Sequence, residues 1–580
     1  MKLSSLPGHR GLWSLLLLLL LPAVVAAAQA AEAVAAVPPP VRFITHHQVM
    51  INGAKVAFTA TAGETYLYDD NGAPTASIFT YAYLRDVAAG TRRPVLFITG
   101  GGPGGASYMA NIGLFGPWYI RPGRLALDTA HPPSPVPPWD VVENPNSLLD
   151  VADLVFVDPV GTGYSRAIGA ARNQDFWGLD EDLESLAQFI QLWLTQNGRW
   201  DSPKFFMGES YGGTRAALLP NILMGGPTYP GNLRAITLNG TIILVNSLGM
   251  GLGADGLSPA WNAATAFPNQ ALAAWYHQSI DRKGRTLEQF YDEATRFALG
   301  DYVAALRKEA DKSLPADERA AIVARIGEYT GLPAAALEKS LSLDEWTFSK
   351  AALASRGLTV GVYDSRFTFT QAGGGGDPVA DDPALGRFFP VITGAFLDNE
   401  HAKLGVRMDR PFFAIHWRDL LTHWNYQHRG NWLGTGGTDA DYRPKKYATN
   451  AEELAAAMNR NDHLYALVAT GYYDMLMSPA QARATARSML GAYGFGDGQW
   501  GCLDSLWTGE SSWNWAARNP SSGAYGIPQS LPASKMSSAG SDWLTNPATQ
   551  IAWGLGYIKG RYGSPCAALA FWQGNSPHWY

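Results

Sequence analysis

Lys204-Phe205-Phe206-Met207-Gly208-Glu209-Ser210-Tyr211-Gly212-Gly213 is the stretch on which the reading of this chain turns. A short apolar run enters Gly-x-Ser-x-Gly, and Tyr211–Leu219 can continue as a helix. Strand, sharp turn and helix in that order form the layout of a nucleophile elbow. A serine on so tight a turn needs neighbours without bulk, which Gly208 and Gly212 supply. The backbone N–H after the serine can then help to hold a developing oxyanion. Ser210 is therefore a candidate nucleophile and Tyr211 a candidate oxyanion donor.

Outward from the elbow, short apolar runs alternate with helical patterns. Pro94–Thr99 reads as a buried strand and is closed by Gly100-Gly101-Gly102-Pro103-Gly104-Gly105. Asp153–Val157 is another, closed by Asp158-Pro159-Val160-Gly161-Thr162-Gly163. Phe205–Met207, Ala235–Leu238 and Leu464–Ala469 complete the set, and Asp180–Leu194 has helical spacing. This alternation predicts a largely parallel sheet covered on both faces, an α/β fold. Upstream, Val41–Gln48, Lys55–Ala62 and Ser77–Leu84 predict strands, with turns at Asn52-Gly53 and Asn71-Gly72. From about 240 to 376 the pattern becomes helical. Thr286-x-x-Gln289 and Ser342-x-x-Glu345 read as capping boxes, and Ala320–Tyr329 as a helix. This region is expected to be a helical cap inserted into the sheet domain. Ala414–Tyr426 is expected to be a further helix.

The 580 residues exceed one core, so several units are expected. Net charge is −6 from 44 basic and 50 acidic residues, which offers no basic surface for nucleic acid. Lys2 and Arg10 flank the apolar run Leu12–Val25, and Ala28-Gln29-Ala30 follows. Residues 1–30 thus read as a secretory signal, with the mature chain starting near Ala31. An extracellular or wall-associated protein without stable membrane attachment is expected. The two cysteines, Cys502 and Cys566, would meet an oxidising compartment, where a disulfide is plausible. No cofactor and no metal site is read from the chain.

Several motifs fall in order: Gly101-Gly102-Pro103-Gly104, Asn144-Pro145-Asn146-Ser147, Gly161-Thr162-Gly163-Tyr164-Ser165, the elbow, and Gly471-Tyr472-Tyr473-Asp474 after the last strand. In this order they resemble the serine carboxypeptidase family over roughly residues 40–477. The resemblance implies an α/β-hydrolase sheet with a helical cap, and release of C-terminal amino acids from a peptide substrate. By position it implies Ser210 as nucleophile, Asp474 as triad acid, and Gly102 with Tyr211 as the oxyanion hole. It gives Glu209 a part in binding the substrate's C-terminal carboxylate, through a hydrogen bond shared between carboxyls that needs a proton. Two departures stand out. Gly100 occupies the place of a usual asparagine. After Asp474 the only histidine is His578, whereas the family's order is Ser, Asp, then His. His416, His423 and His428 lie before the last strand as substitutes.

Past Ser478 the composition turns rich in Trp and Gly. Gln481–Tyr493, Cys502–Trp515 and Asn546–Tyr562 read as helices. Leu503, Leu506, Trp507 and Trp513 mark one apolar face of the second, and Glu510 lies on it. A carboxyl desolvated there would hold its proton, as a general acid for a glycosidic oxygen must. Glu510-Ser511-Ser512-Trp513, Asn519–Gln529 and Gly554-Leu555-Gly556-Tyr557 resemble the soluble lytic transglycosylase domain in its secreted actinobacterial form, over about 478–580. That resemblance implies a small, mainly α, lysozyme-like fold, cleavage of peptidoglycan glycan strands, Glu510 as the single acid/base, Gln529 in the substrate groove, and a place for the Cys502–Cys566 disulfide. Three readings remain: a secreted carboxypeptidase carrying a glycan-cleaving module, a glycan-cleaving wall enzyme with a degenerate peptidase-like domain, or a wall-binding protein without catalysis.

Overall fold

A computed structural model describes residues 37–575, apart from 122–136, 226–233, 246–258, 371–376, 427–449, 476–489 and shorter interruptions, most of them between 491 and 546. The expected leader and the expected helix at Gln481–Tyr493 fall on residues outside the described ones, the second all but in full.

β1 (Arg42–Ile51), β2 (Ala54–Tyr68) and β3 (Pro74–Arg85) form an antiparallel meander. Asn52 and Gly53 both take positive φ, 48° and 76°, as a two-residue hairpin turn requires. Five parallel strands follow: β4 (Val95–Thr99), β5 (Asp153–Val157), β6 (Lys204–Glu209), β7 (Gly240–Leu244) and β8 (Tyr465–Ala469). The main sheet runs β1-β2-β3-β5-β4-β6-β7-β8. β4 and β5 are buried along their whole length, as strands covered on both faces must be.

Alternate residues of these strands feed two cores. Val95, Phe97, Val155 and Phe206 pack with helices α1 (Leu179–Gln196) and α2 (Tyr211–Leu223). Leu96, Ile98, Leu154, Phe156 and Met207 pack on the opposite face against residues of the meander and Val391–Phe396. The layered, mostly parallel sheet with the elbow after β6 is that of an α/β-hydrolase.

Between β7 and β8 come the helices α3 (Pro259–Tyr276), α4 (Leu287–Phe297), α5 (Val303–Ala310), α6 (Ala316–Thr330) and α7 (Glu345–Ala351). The capping box of α4 forms in full, Thr286 Oγ1 accepting from Gln289 N–H and Gln289 Oε1 from Thr286 N–H. After the insertion come α8 (Leu385–Asn399), α9 (Arg418–His423) and α10 (Asn450–Arg460). The C-terminal helices are α11 (Trp500–Ser511), α12 (Pro547–Tyr562) and α13 (Pro565–Gly574). Cys502 and Cys566 form a disulfide between α11 and α13. Among the described residues no helix is long and apolar enough to cross a membrane.

Four expectations shift. The strand expected at Ala235–Leu238 lies instead at Gly240–Leu244, so the insertion starts after 244 rather than at 240. Ala235 takes φ 52°, which breaks an extended run, and Gly240 fits where its Cβ would stand 2.7 Å from the Phe205 ring. At α7 it is Asp344, not Ser342, that caps, accepting from Trp346 and Thr347 N–H. Ala414–Tyr426 is helical only over Arg418–His423, because Phe413 and Ile415 form bridges to Gly163 and Gly105. The helix expected to reach Trp515 ends at Ser511, and Trp513 takes φ 63°.

Candidate active sites

Ser210 stands between β6 and α2 with φ 56° and ψ −121°, a conformation costly for a residue with a side chain. Its N–H donates to Leu244 O at 3.0 Å, and Gly213 N–H donates to Ser210 O at 2.8 Å. The glycines are sterically required. A Cβ on Gly208 would lie 1.7 Å from Gly212 O, and one on Gly212 would lie 2.7 Å from Gly100 O. Gly101 is flush against the site, since its Cβ would stand 2.7 Å from Ser210 Cβ.

The loop after β4 thus reaches the nucleophile. Gly101 N–H donates to the Glu209 carboxyl, which burial pushes up to about 6 against that donor's opposing pull. Gly102 takes φ 115°, closed to other residues, and is the next N–H along this loop. Tyr211 begins α2, so its N–H is among those a helix leaves without an internal acceptor.

A buried ion pair holds this loop to the nucleophile helix. Arg215 on α2 donates Nε to Asp182 Oδ2 at 2.6 Å and Nη1 to Gly100 O at 2.9 Å. Both side chains are almost wholly buried. The guanidinium lies over the Tyr211 ring, whose hydroxyl accepts from Trp424 Nε1 at 3.2 Å. Sequence reasoning missed this pair. Its signal was an arginine four residues after Tyr211 on an otherwise apolar helix face.

Further round, Asp158 accepts from Ser107 N–H and Oγ–H at 2.8 and 2.7 Å and so fixes the chain leaving the glycine loop. Burial pushes the Asp158 carboxyl up to about 6, against those two donors.

Asp474 follows β8 at the same carboxyl end of the sheet, two strands from β6. Its backbone oxygen accepts from Asn269 Nδ2 at 2.5 Å. Tyr363, between β7 and β8, sits in the field of both Asp474 and Glu209; burial first, then Asp382 and these carboxylates, raise its phenol.

The substitute histidines are occupied elsewhere. His416 lies beside the glycine loop, its N–H donating to Gly104 O at 2.8 Å, but its Nδ1 meets Gly161 O at 3.1 Å. His423 Nδ1 meets Asp419 O at 2.8 Å. His428 and His578 lie outside the described residues.

In the C-terminal region Leu503, Leu506 and Trp507 are fully buried, as the expected face required. Glu510 is half-buried beside them. Desolvation pushes its carboxyl up to about 7, while a hydrogen bond from Trp572 pulls the other way. Asp504, six residues before Glu510 on the same helix, accepts from Trp513 Nε1 at 2.9 Å. Gln529, at φ 47°, spends its amide N–H groups on Gly526 O and Ala517 O at 2.8 and 3.2 Å. It therefore braces the loop that carries it. Among the described residues no group of three His, Cys, Asp or Glu could hold a metal.

Elbow, glycine loop and post-strand acid on one sheet define the class as an α/β-hydrolase. The serine carboxypeptidase family matches residues 55–287 of this chain. Among solved structures, Kex1Δp, a prohormone-processing carboxypeptidase from Saccharomyces cerevisiae, is 12% identical, with TM-score 0.39; the match covers 72% of this chain and 75% of that one. A proline iminopeptidase from Mycobacterium smegmatis is 16% identical, with TM-score 0.20, covering 50% and 77%. No curated protein matches. Residues 55–287 thus form a serine carboxypeptidase-like segment carrying the elbow, the glycine loop and the Arg215–Asp182 pair.

Proposed function

We propose that this protein is an exported serine-type hydrolase that releases C-terminal residues from peptides, and that it carries a second, glycan-directed site at Glu510. The strained Ser210 packed against Gly101 carries the first reading. In it, Ser210 Oγ attacks the scissile carbonyl, and Tyr211 and Gly102 N–H receive the oxyanion. Asp474 orients and stabilises the base that takes the Ser210 proton. Glu209, protonated below about pH 6, shares a hydrogen bond with the substrate's free carboxylate. Binding of free C-termini should then weaken as pH rises through 6.

The raised Glu510 carboxyl favours the second site. An acid near 7 can protonate a glycosidic oxygen at neutral pH and take a proton back. Lytic cleavage needs no second carboxylate, because the sugar's own hydroxyl can displace the leaving group. The substrates proposed are accordingly peptides and peptidoglycan glycan strands.

A paired assay tests both. Ser210→Ala should abolish release of C-terminal residues from N-blocked peptides and leave glycan cleavage intact. Glu510→Gln should abolish anhydro-sugar release from peptidoglycan and spare the peptidase. A wild-type chain that turns over neither substrate would leave only a wall-binding role.

A further inference from the structure

Glu510 and Trp572 come from two helices that a covalent bond already joins. Cys502 on α11 is bonded to Cys566 on α13. Glu510 stands eight residues beyond Cys502, and Trp572 six beyond Cys566. Those steps carry the two helices about 12 and 9 Å in the same direction from the disulfide. There the helices meet again, this time through the Trp572 ring. A Cβ on Gly509 would stand 2.6 Å from Trp572 Cη2 and 2.8 Å from Cζ2, so glycine is what lets the indole lie this close. Cζ2 belongs to the indole edge that also carries Nε1, the ring's one donor. That edge faces the residue before Glu510, and Trp572 donates to the Glu510 carboxyl.

Charged groups on the neighbouring elements are few. α13 carries no Asp, Glu, Lys, Arg or His, and Asp504 of α11 is bonded to Trp513. The short turn of helix before α11 adds Asp497, at the other end of α11 from Glu510. On α12, Lys559 is exposed and Arg561 lies over the Tyr557 and Tyr562 rings.

We propose that Trp572 is a positioning residue for Glu510: its indole N–H holds the carboxylate that forms when Glu510 gives up its proton, and the disulfide sets the helix spacing this needs. The inference rests on reading Glu510 as the glycan-directed acid. In the cleavage, the Glu510 proton passes to the glycosidic oxygen as the bond from that oxygen to the anomeric carbon breaks. The sugar's own hydroxyl bonds to that carbon, and its proton returns to Glu510. Between the two transfers the carboxyl is an anion in a half-buried site. An N–H donor binds an anion more strongly than a neutral acid, so this hydrogen bond strengthens as the proton leaves. It therefore lowers the barrier to the chemical step.

Infrared titration and peptidoglycan turnover test the idea on the full-length chain. The carboxylic acid band that disappears in Glu510→Gln reports Glu510, and in wild type it should titrate at about pH 7. Trp572→Phe keeps a ring and removes the donor. Its Glu510 band should titrate at higher pH, and kcat for anhydro-sugar release should fall about 10- to 100-fold with KM little changed. Gly509→Ala keeps the indole and displaces it. Alanine favours a helix over glycine, yet this variant should show the same upward shift and a lower kcat. Cys502→Ser with Cys566→Ser should do likewise. A Glu510 band that titrates alike in wild type, Trp572→Phe and Gly509→Ala would overturn the proposal. An unchanged band in the cysteine variant would overturn the part given to the disulfide. Wild type that releases no anhydro-sugar would instead overturn the reading of Glu510, and the titration would still decide its pairing with Trp572.

Discussion

Arg215 is where the chemistry of the elbow depends on packing. Its guanidinium joins the nucleophile helix, the Asp182 carboxylate and the Gly100 carbonyl at the root of the glycine loop. Removing one partner of a buried pair leaves the other charged in a dry interior, which typically costs about 3–5 kcal/mol. Arg215→Met should therefore lower the unfolding free energy by about that amount in a denaturant titration. It should also lower kcat more than raise KM, because the loop carrying an oxyanion donor loses its tether. Gly208 is the other extreme: even one methyl there would overlap Gly212 O.

Elements were legible in the sequence where a single force decides them. The buried strands β4, β5 and β6 and the helix after Ser210 stand within a few residues of expectation, because an apolar run between turn residues has few alternatives. The capping box of α4 was legible for the same reason: Thr286 and Gln289 satisfy each other locally. Legibility failed where distant partners decide. Residues 413–416 have helical spacing, but backbone pairing with Gly105 and Gly163 claims them. β7 lies five residues later than expected because Gly240–Leu244 pairs with Phe205–Glu209 and Tyr465–Ala469, distant partners that no local pattern records, and glycine at 240 leaves room for the Phe205 ring. The Arg215–Asp182 pair joins two helices and is visible only in the fold. At Glu510 the apolar face was readable, and the Trp572 donor 62 residues on was not. The disulfide closes a separation of 64 residues. A loop of that length predicts stabilisation of about 4 kcal/mol in the chain-entropy description. Cys502→Ser with Cys566→Ser should lower the protection of α11 and α13 amides from hydrogen exchange and leave β4–β6 protected as before.

Across the whole molecule, buried carboxyls make stability depend on pH. Glu400 accepts from Tyr81 OH at 2.6 Å and Tyr164 OH at 2.8 Å, with the Asp158 carboxyl nearby. Burial outweighs the two phenols and pushes Glu400 up to about 7 from 4.5. Between those values the native chain keeps a proton that the unfolded chain gives up. The native state then binds more protons, so this contribution to stability falls as pH rises from 4.5 to 7. The full excursion is on the order of 3 kcal/mol. Glu400→Gln should flatten the corresponding fall in melting temperature across that window. An unchanged slope would assign the pH dependence to other carboxyls.

The most direct measurement is covalent labelling of the native protein by a fluorophosphonate, which reports whether Ser210 is an activated nucleophile independently of any substrate. One phosphonyl group per chain on Ser210, absent from Ser210→Ala and prevented by prior unfolding, is the predicted result. Label that is absent from Ser210 at reagent concentrations that modify an ordinary serine hydrolase would contradict it.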